Sequence, residues 1–130
     1  MYSTIAKNII YPLGDLALGT SVMKYYHALM KTQWWPVEKL QELQNEKLRR
    51  LVNHAYNNVP YYRDLFKGLG LQPGDVQTAE DLGKLPILTK QDIKANFEKL
   101  KSSGFGKYKP ILNSTGGSTG EPLKYYITKD

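Results

Sequence analysis

The residues best suited to chemistry form one run, Asn113-Ser114-Thr115-Gly116-Gly117-Ser118-Thr119-Gly120-Glu121-Pro122, with three glycines and four hydroxyls in ten positions. Glycines allow positive φ and let the backbone approach a ligand closely. Successive backbone N–H groups can then form an anion-binding concavity, and hydroxyls add donors that turn toward phosphate oxygens. The chemistry on offer is therefore capture of a phosphate. Residue order excludes two familiar phosphate loops. A Walker loop needs a lysine after its last glycine, and none follows Gly120. Gly116, Gly117 and Gly120 do not fit the Gly-x-Gly-x-x-Gly dinucleotide fingerprint. Composition alone leaves a second reading open, a plain loop of turn formers between two strands.

Other candidates are weaker. The chain has no cysteine, which excludes disulfides, thiolate metal sites and cysteine nucleophiles. His27 and His54 are the only histidines and are not spaced as a metal pair, so no metal-ligating residue is assigned. Asp81 and Asp92 read as helix-start charges rather than an acid–base pair. Tyr61-Tyr62-Arg63 reads as an aromatic anchor of helix packing. No catalytic residue is assigned.

The elements that position the loop divide the chain into three parts. Residues 1–35 are an apolar helical segment, with Ile5, Ile9, Ile10, Leu13, Leu16 and Leu18 in short turns interrupted at Pro12 and Gly14. Val22, Tyr25, Tyr26, Leu29 and Met30 continue at helical spacing. Residues 36–101 are a helical region. Its clearest helix runs from about Val37 to Asn58, where Leu40, Leu43, Lys47, Leu51, Ala55 and Tyr56, with Leu48 and Val52, form one apolar stripe around the lysine stem. A shorter helix follows over 61–69, and Thr78 and Thr89 read as N-caps, the second opening a helix to about Leu100. Residues 102–130 carry the loop between a strand beginning at Ile111 and a β-prone stretch over 123–128. The segment is expected to be mostly α with one β-hairpin.

Charge adds little. The formal balance is +6, but lysines and acids are interleaved from Glu38 to Lys101, as on a mixed solvated surface, and no nucleic-acid partner is expected. No secretory leader is evident near the start, so a cytoplasmic protein is the expectation. The aromatic, weakly basic segment 1–35 suits either packing on a larger protein or peripheral contact with a membrane surface.

Thr115-Gly116-Gly117-Ser118-Thr119-Gly120-Glu121-Pro122 resembles the phosphate-binding signature of the adenylate-forming (AMP-binding) enzymes, Thr-Ser/Gly-Gly-Ser/Thr-Thr-Gly-x-Pro. A lysine usually follows the proline, whereas here Leu123 intervenes before Lys124. That departure is similar to the phenylacetate–CoA ligase branch and its CapK-type proteins of capsular polysaccharide biosynthesis. Leu48-Arg49-Arg50-Leu51-Val52-Asn53-His54-Ala55-Tyr56, Val59-Pro60-Tyr61-Tyr62-Arg63 and Leu85-Pro86-Ile87-Leu88-Thr89-Lys90 resemble segments of the same branch, in the same order.

The resemblance implies a fold and a chemistry. The segment would be the N-terminal part of the large α/β domain of the adenylate-forming fold. Ser114, Thr115, Gly116, Gly117, Ser118, Thr119, Gly120, Glu121 and Pro122 would hold the β- and γ-phosphates of ATP. Thr115, Ser118 and Thr119 would supply hydroxyls, and the glycines backbone donors. The reaction implied is ATP-dependent activation of a carboxylic acid with Mg²⁺, with coenzyme A as an acceptor in some relatives. The adenine, ribose and metal-binding residues and a late lysine would lie beyond Asp130, so these 130 residues alone are expected to be inactive. The alternative is a non-catalytic module that binds a partner or a membrane surface.

Overall fold

Residues 2–116 and 122–128 are described by a computed structural model, which is mostly helical and carries one two-stranded antiparallel hairpin. The backbone begins as α1 (Tyr2–Ile5), passes through a π-helical stretch (Ala6–Ile10) and continues as α2 (Tyr11–Leu18). The interruption expected at Pro12 and Gly14 does not occur. Pro12 stands in the first turn of α2, where a missing N–H costs little, and the wider π turns lie just before it. Gly19, at φ 67°, takes the left-handed conformation that ends the helix.

Asp15 then starts the next helix, α3 (Val22–Thr32), from within α2. Its carboxylate accepts the backbone N–H of Val22 at 3.0 Å and of Met23 at 2.7 Å, and the Thr20 hydroxyl. The Thr20 hydrogen bond first, then that of Met23, hold the Asp15 carboxyl below its ordinary value.

Helix α4 (Val37–Asn58) follows Pro36 directly and packs on α5 (Pro60–Gly68). Val52 of α4, Phe66 of α5 and Val76 form the core, with Leu48, Tyr56, Leu71 and Leu85 packed against it. Phe66 meets Tyr56 edge-on at 5.7 Å between ring centroids. The apolar stripe expected on α4 is split by this geometry: Val52 is 6% exposed, whereas Leu51, one residue earlier, is 64% exposed. Leu51 lies on the wall of an open cleft rather than under α5.

Two caps behave differently. Thr89 accepts the Asp92 N–H at 3.2 Å while Asp92 accepts the Thr89 N–H at 2.9 Å, a reciprocal box opening α6 (Lys90–Ala95). At Thr78 the expected direction is reversed. Asp81 accepts the N–H groups of Gln77 and Thr78, at 2.9 and 3.0 Å, and a 3₁₀ turn (Glu80–Lys84) forms instead of an α-helix. Helix α6 also stops at Ala95, short of Leu100. The Asn96 side chain donates to the Asp92 carbonyl at 3.0 Å, competing with the helical backbone for that acceptor.

The chain then returns to the α4–α5 junction. Tyr61 N–H donates to Lys99 C=O at 3.0 Å, and Ser103 N–H donates to Asn58 C=O at 2.7 Å. The Ser103 hydroxyl adds a bond to Asn58 Oδ1 at 2.9 Å. A 3₁₀ turn (Phe105–Tyr108) leads into β1 (Ile111–Ser114), which pairs with β2 (Lys124–Ile127) in the register Ile111↔Ile127 to Ser114↔Lys124.

Candidate phosphate-binding site

The hairpin is closed at the mouth of the candidate loop by two bonds between the same residues. Thr115 N–H donates to Leu123 C=O at 3.0 Å, and Leu123 N–H donates to Thr115 Oγ1 at 3.0 Å. Fixing the Thr115 oxygen as an acceptor leaves a hydroxyl proton to donate elsewhere, since a hydroxyl accepts and donates at once. Asn113 Oδ1 accepts the Ser114 N–H at 2.8 Å, stiffening the preceding residue. Ser114, Thr115, Gly116 and Pro122 are all exposed. Gly116 is outside the left-handed region, and a Cβ built there meets nothing within 4 Å. Its missing side chain is thus not demanded by neighbouring described residues and leaves room for a ligand to approach the backbone. Gly117, Ser118, Thr119, Gly120 and Glu121 lie outside the described residues.

An aromatic cluster holds β2 to the helical region. Tyr126 stacks on Phe97 at 5.4 Å and meets Phe105 edge-on at 4.7 Å. The Lys101 ammonium lies 5.2 Å from the Tyr126 ring centroid and pairs with Glu98 at 2.7 Å. The Glu98 hydrogen bond, aided by Tyr126, raises the Lys101 pKa above its ordinary value. Beside the loop, a cleft of about 430 Å³ is lined by Ile93, Lys94 and Phe97 below and by Pro122, Leu123 and Lys124 above. Sequence reasoning missed that α6 and Phe97 would face the arm 122–124 across this cleft; the one signal available was the apolar pair Ile93 and Phe97 at helical spacing.

The remaining candidates sit elsewhere. Tyr61 and Tyr62 meet edge-on at 5.3 Å and line an apolar cleft of about 400 Å³ with Leu51, Phe66, Leu85 and Ile87. Burial, then the charge of Asp92, push the Tyr61 phenol up. His54 Nδ1 lies 3.2 Å from the Asn58 amide on α4, and His27 packs against Tyr26 on α3. Asp81 and Asp92 are turned to their own turns, as read from sequence. Among the described residues no group of three His, Cys, Asp or Glu could hold a metal ion. The Mg²⁺ implied by the resemblance thus finds no ligand set among them, and no chemical step is assigned through it.

No protein-family model matches the chain. Phenylacetate–coenzyme A ligase of Escherichia coli (strain K12) is 36% identical over 94 residues, covering 72% of this chain and 22% of the relative. The same enzyme of Thermus thermophilus is 33% identical over 101 residues, covering 73% of this chain and 21% of the relative. Protein CapK of Staphylococcus aureus is 34% identical over 113 residues, covering 87% of this chain and 24% of the relative. The chain belongs with the phenylacetate–CoA ligases and CapK. It spans roughly a fifth to a quarter of the length of these relatives. In the described residues the ligase-like chain contributes the hairpin arms and their helical support.

Proposed function

We propose that this chain is the N-terminal, phosphate-gripping part of an ATP-dependent acid–CoA ligase of the adenylate-forming type, and that alone it does not turn over. In that reading residues 1–35, 36–101 and 102–130 are successive parts of one incomplete large α/β domain. The observation that carries it is the closed hairpin mouth. Thr115 and Leu123 lock the arms together with two hydrogen bonds, so a ligand met by the loop would not have to loosen the strands, and Gly116 and Pro122 at its two ends are exposed. Ser114, Thr115, Ser118 and Thr119 supply hydroxyl donors, and Gly116, Gly117 and Gly120 supply backbone N–H groups, to the β- and γ-phosphates of ATP. Pro122 sets where the loop rejoins β2. Donors placed there stabilise charge on departing pyrophosphate when a carboxylate attacks the α-phosphorus.

The names of the phenylacetate–coenzyme A ligases support coenzyme A as the acceptor, while ATP and Mg²⁺ as cosubstrate and cofactor follow from the resemblance of the loop and would be held largely by residues outside this segment. Cytoplasmic placement, beside the pools of ATP and coenzyme A, belongs to the same proposal. The test is ATP–pyrophosphate exchange in a polypeptide carrying this segment together with that remainder. Gly117→Val, which puts a branched side chain where the backbone meets phosphate, should abolish exchange while leaving the helix signal intact. Exchange retained at the parent rate would sink the assignment of this loop.

A further inference from the structure

Among the described residues the segment before α4 contributes none of the buried apolar side chains, which are Val52, Val59, Phe66 and Val76. Its large apolar side chains face outward instead: Leu16 is 82% exposed, Leu18 73%, Leu29 66% and Trp34 83%. Exposure on this scale is uncommon on a free soluble surface and marks an interaction face. Along α3, Val22, Tyr25 and Leu29 recur at helical spacing, while Lys24 and Lys31, seven residues apart, share a different face.

Charge then separates the candidate partners. Before Glu38 the only acid is Asp15, set against Lys7, Lys24 and Lys31. Asp15 is also held in place, its carboxylate taken up by Thr20, Val22 and Met23. Between α2 and α3 lies a groove of about 390 Å³ lined by Lys7, Tyr11, Val22, Met23 and Tyr26, with the Lys7 ammonium 4.8 Å from the Tyr26 ring centroid. An apolar groove with a cation on its wall suits an acyl chain that ends in an anionic headgroup.

We propose that α1–α3 form an in-plane anchor for an anionic lipid surface, with the Val22–Tyr25–Leu29 face and Trp34 at the headgroup boundary and the lysines on the polar side. The helices lie on the bilayer and do not cross it. None among the described residues is long and apolar enough to span one, and a basic amphipathic helix with aromatic and Leu contacts is the form that binds in the plane. The inference concerns a surface distinct from the phosphate loop, and its failure leaves the loop assignment untouched.

The experiment is co-sedimentation of the full 130-residue chain with vesicles of phosphatidylcholine plus phosphatidylserine, and with phosphatidylcholine alone. The chain should pellet with the mixed vesicles, with a blue shift in tryptophan emission, and be released as salt rises. Each lysine near an anionic surface contributes about a fivefold change in partitioning. The variant Lys7→Gln/Lys24→Gln/Lys31→Gln should therefore bind roughly a hundredfold more weakly. Leu16→Asp should weaken binding to both vesicle types, while Lys107→Gln/Lys109→Gln, in the turn before β1, should have little effect. Circular dichroism confirms that each variant keeps its helices. No pelleting with anionic vesicles, equal pelleting of the triple lysine variant, or self-association of the chain with no vesicle binding would each overturn the proposal.

Discussion

Replacing Tyr126 by leucine tests whether the hairpin is held by the helical region or by its own pairing. A two-stranded hairpin is marginal by itself in water, so the rings around Tyr126 should set its stability. Leucine keeps much of the apolar contact but removes the stack on Phe97 at 5.4 Å and the edge contact with Phe105 at 4.7 Å. Each such ring pair contributes about 1 kcal/mol beyond area burial, so the two together give about 2 kcal/mol. That corresponds to a roughly 30-fold fall in the equilibrium between closed and open hairpin. Amide hydrogen exchange followed by mass spectrometry should show this loss in peptides covering 111–115 and 123–128. Peptides from α4 and α5 should keep their protection, because Phe66 and Val52 lie in a separate cluster. Tyr126→Phe, which retains both rings and loses only the phenol's contact with Lys101, should lie close to the parent. Unchanged hairpin protection in the leucine variant, or an equal loss throughout α4 and α5, would refute the reasoning.

Two further outcomes follow from the core and the caps. Phe66→Ala should cost about 3 kcal/mol in urea unfolding, near the lower end for such truncations. The ring borders the open apolar cleft, so water can enter rather than leaving a sealed void; a loss below about 1 kcal/mol would contradict its place in the core. Asp15 and Asp81 have folded pKa values depressed below the ordinary 3.8 by hydrogen bonds from Thr20 and Lys84 respectively. At a pH between folded and unfolded values the unfolded chain binds more protons, so their stabilisation is full above about pH 4 and is lost as pH falls below it. The urea midpoint should therefore drop between pH 7 and pH 3, and Asp81→Asn should shrink that drop; a midpoint that rises on acidification would reverse the sign.

Local signals served well where local chemistry decides the outcome. Helix α4 occupies the span its apolar spacing and flanking prolines indicate, and the Thr89–Asp92 box forms as the residues three apart suggest. The strands flanking the loop likewise pair where Ile111, Leu112 and the β-prone stretch over 123–128 place them. Misreadings arose where the deciding partner lies outside the local window. Asp15 caps a helix that starts seven residues later across a glycine turn, and no helix-start template looks that far back. Pro12 did not break the helix because the π turns before it relieve the clash that the ring would otherwise make. The outer half of the α4 stripe could not be told from its buried half, since spacing gives a face but not what covers it. Of the site, the residue order pointed to phosphate, while the support from Tyr126, Phe97 and Phe105 depends on contacts more than twenty residues apart.

The bond between Ser103 and Asn58 spans 45 residues and closes a ring of chain that contains α5, the core contribution of Phe66 and Val76, and α6. Contacts so far apart in sequence are intrinsically slow to form, because closing the chain costs entropy before the contact can reward it. The closure entropy of the ring grows only with the logarithm of its length, so doubling the ring would cost only about 0.6 kcal/mol. The stretch between the two ends can therefore lengthen or diverge in evolution while Asn58 and Ser103 keep the start of the hairpin arm at the same place beside α4. The geometry of the loop is in this sense insulated from the history of the residues that precede it.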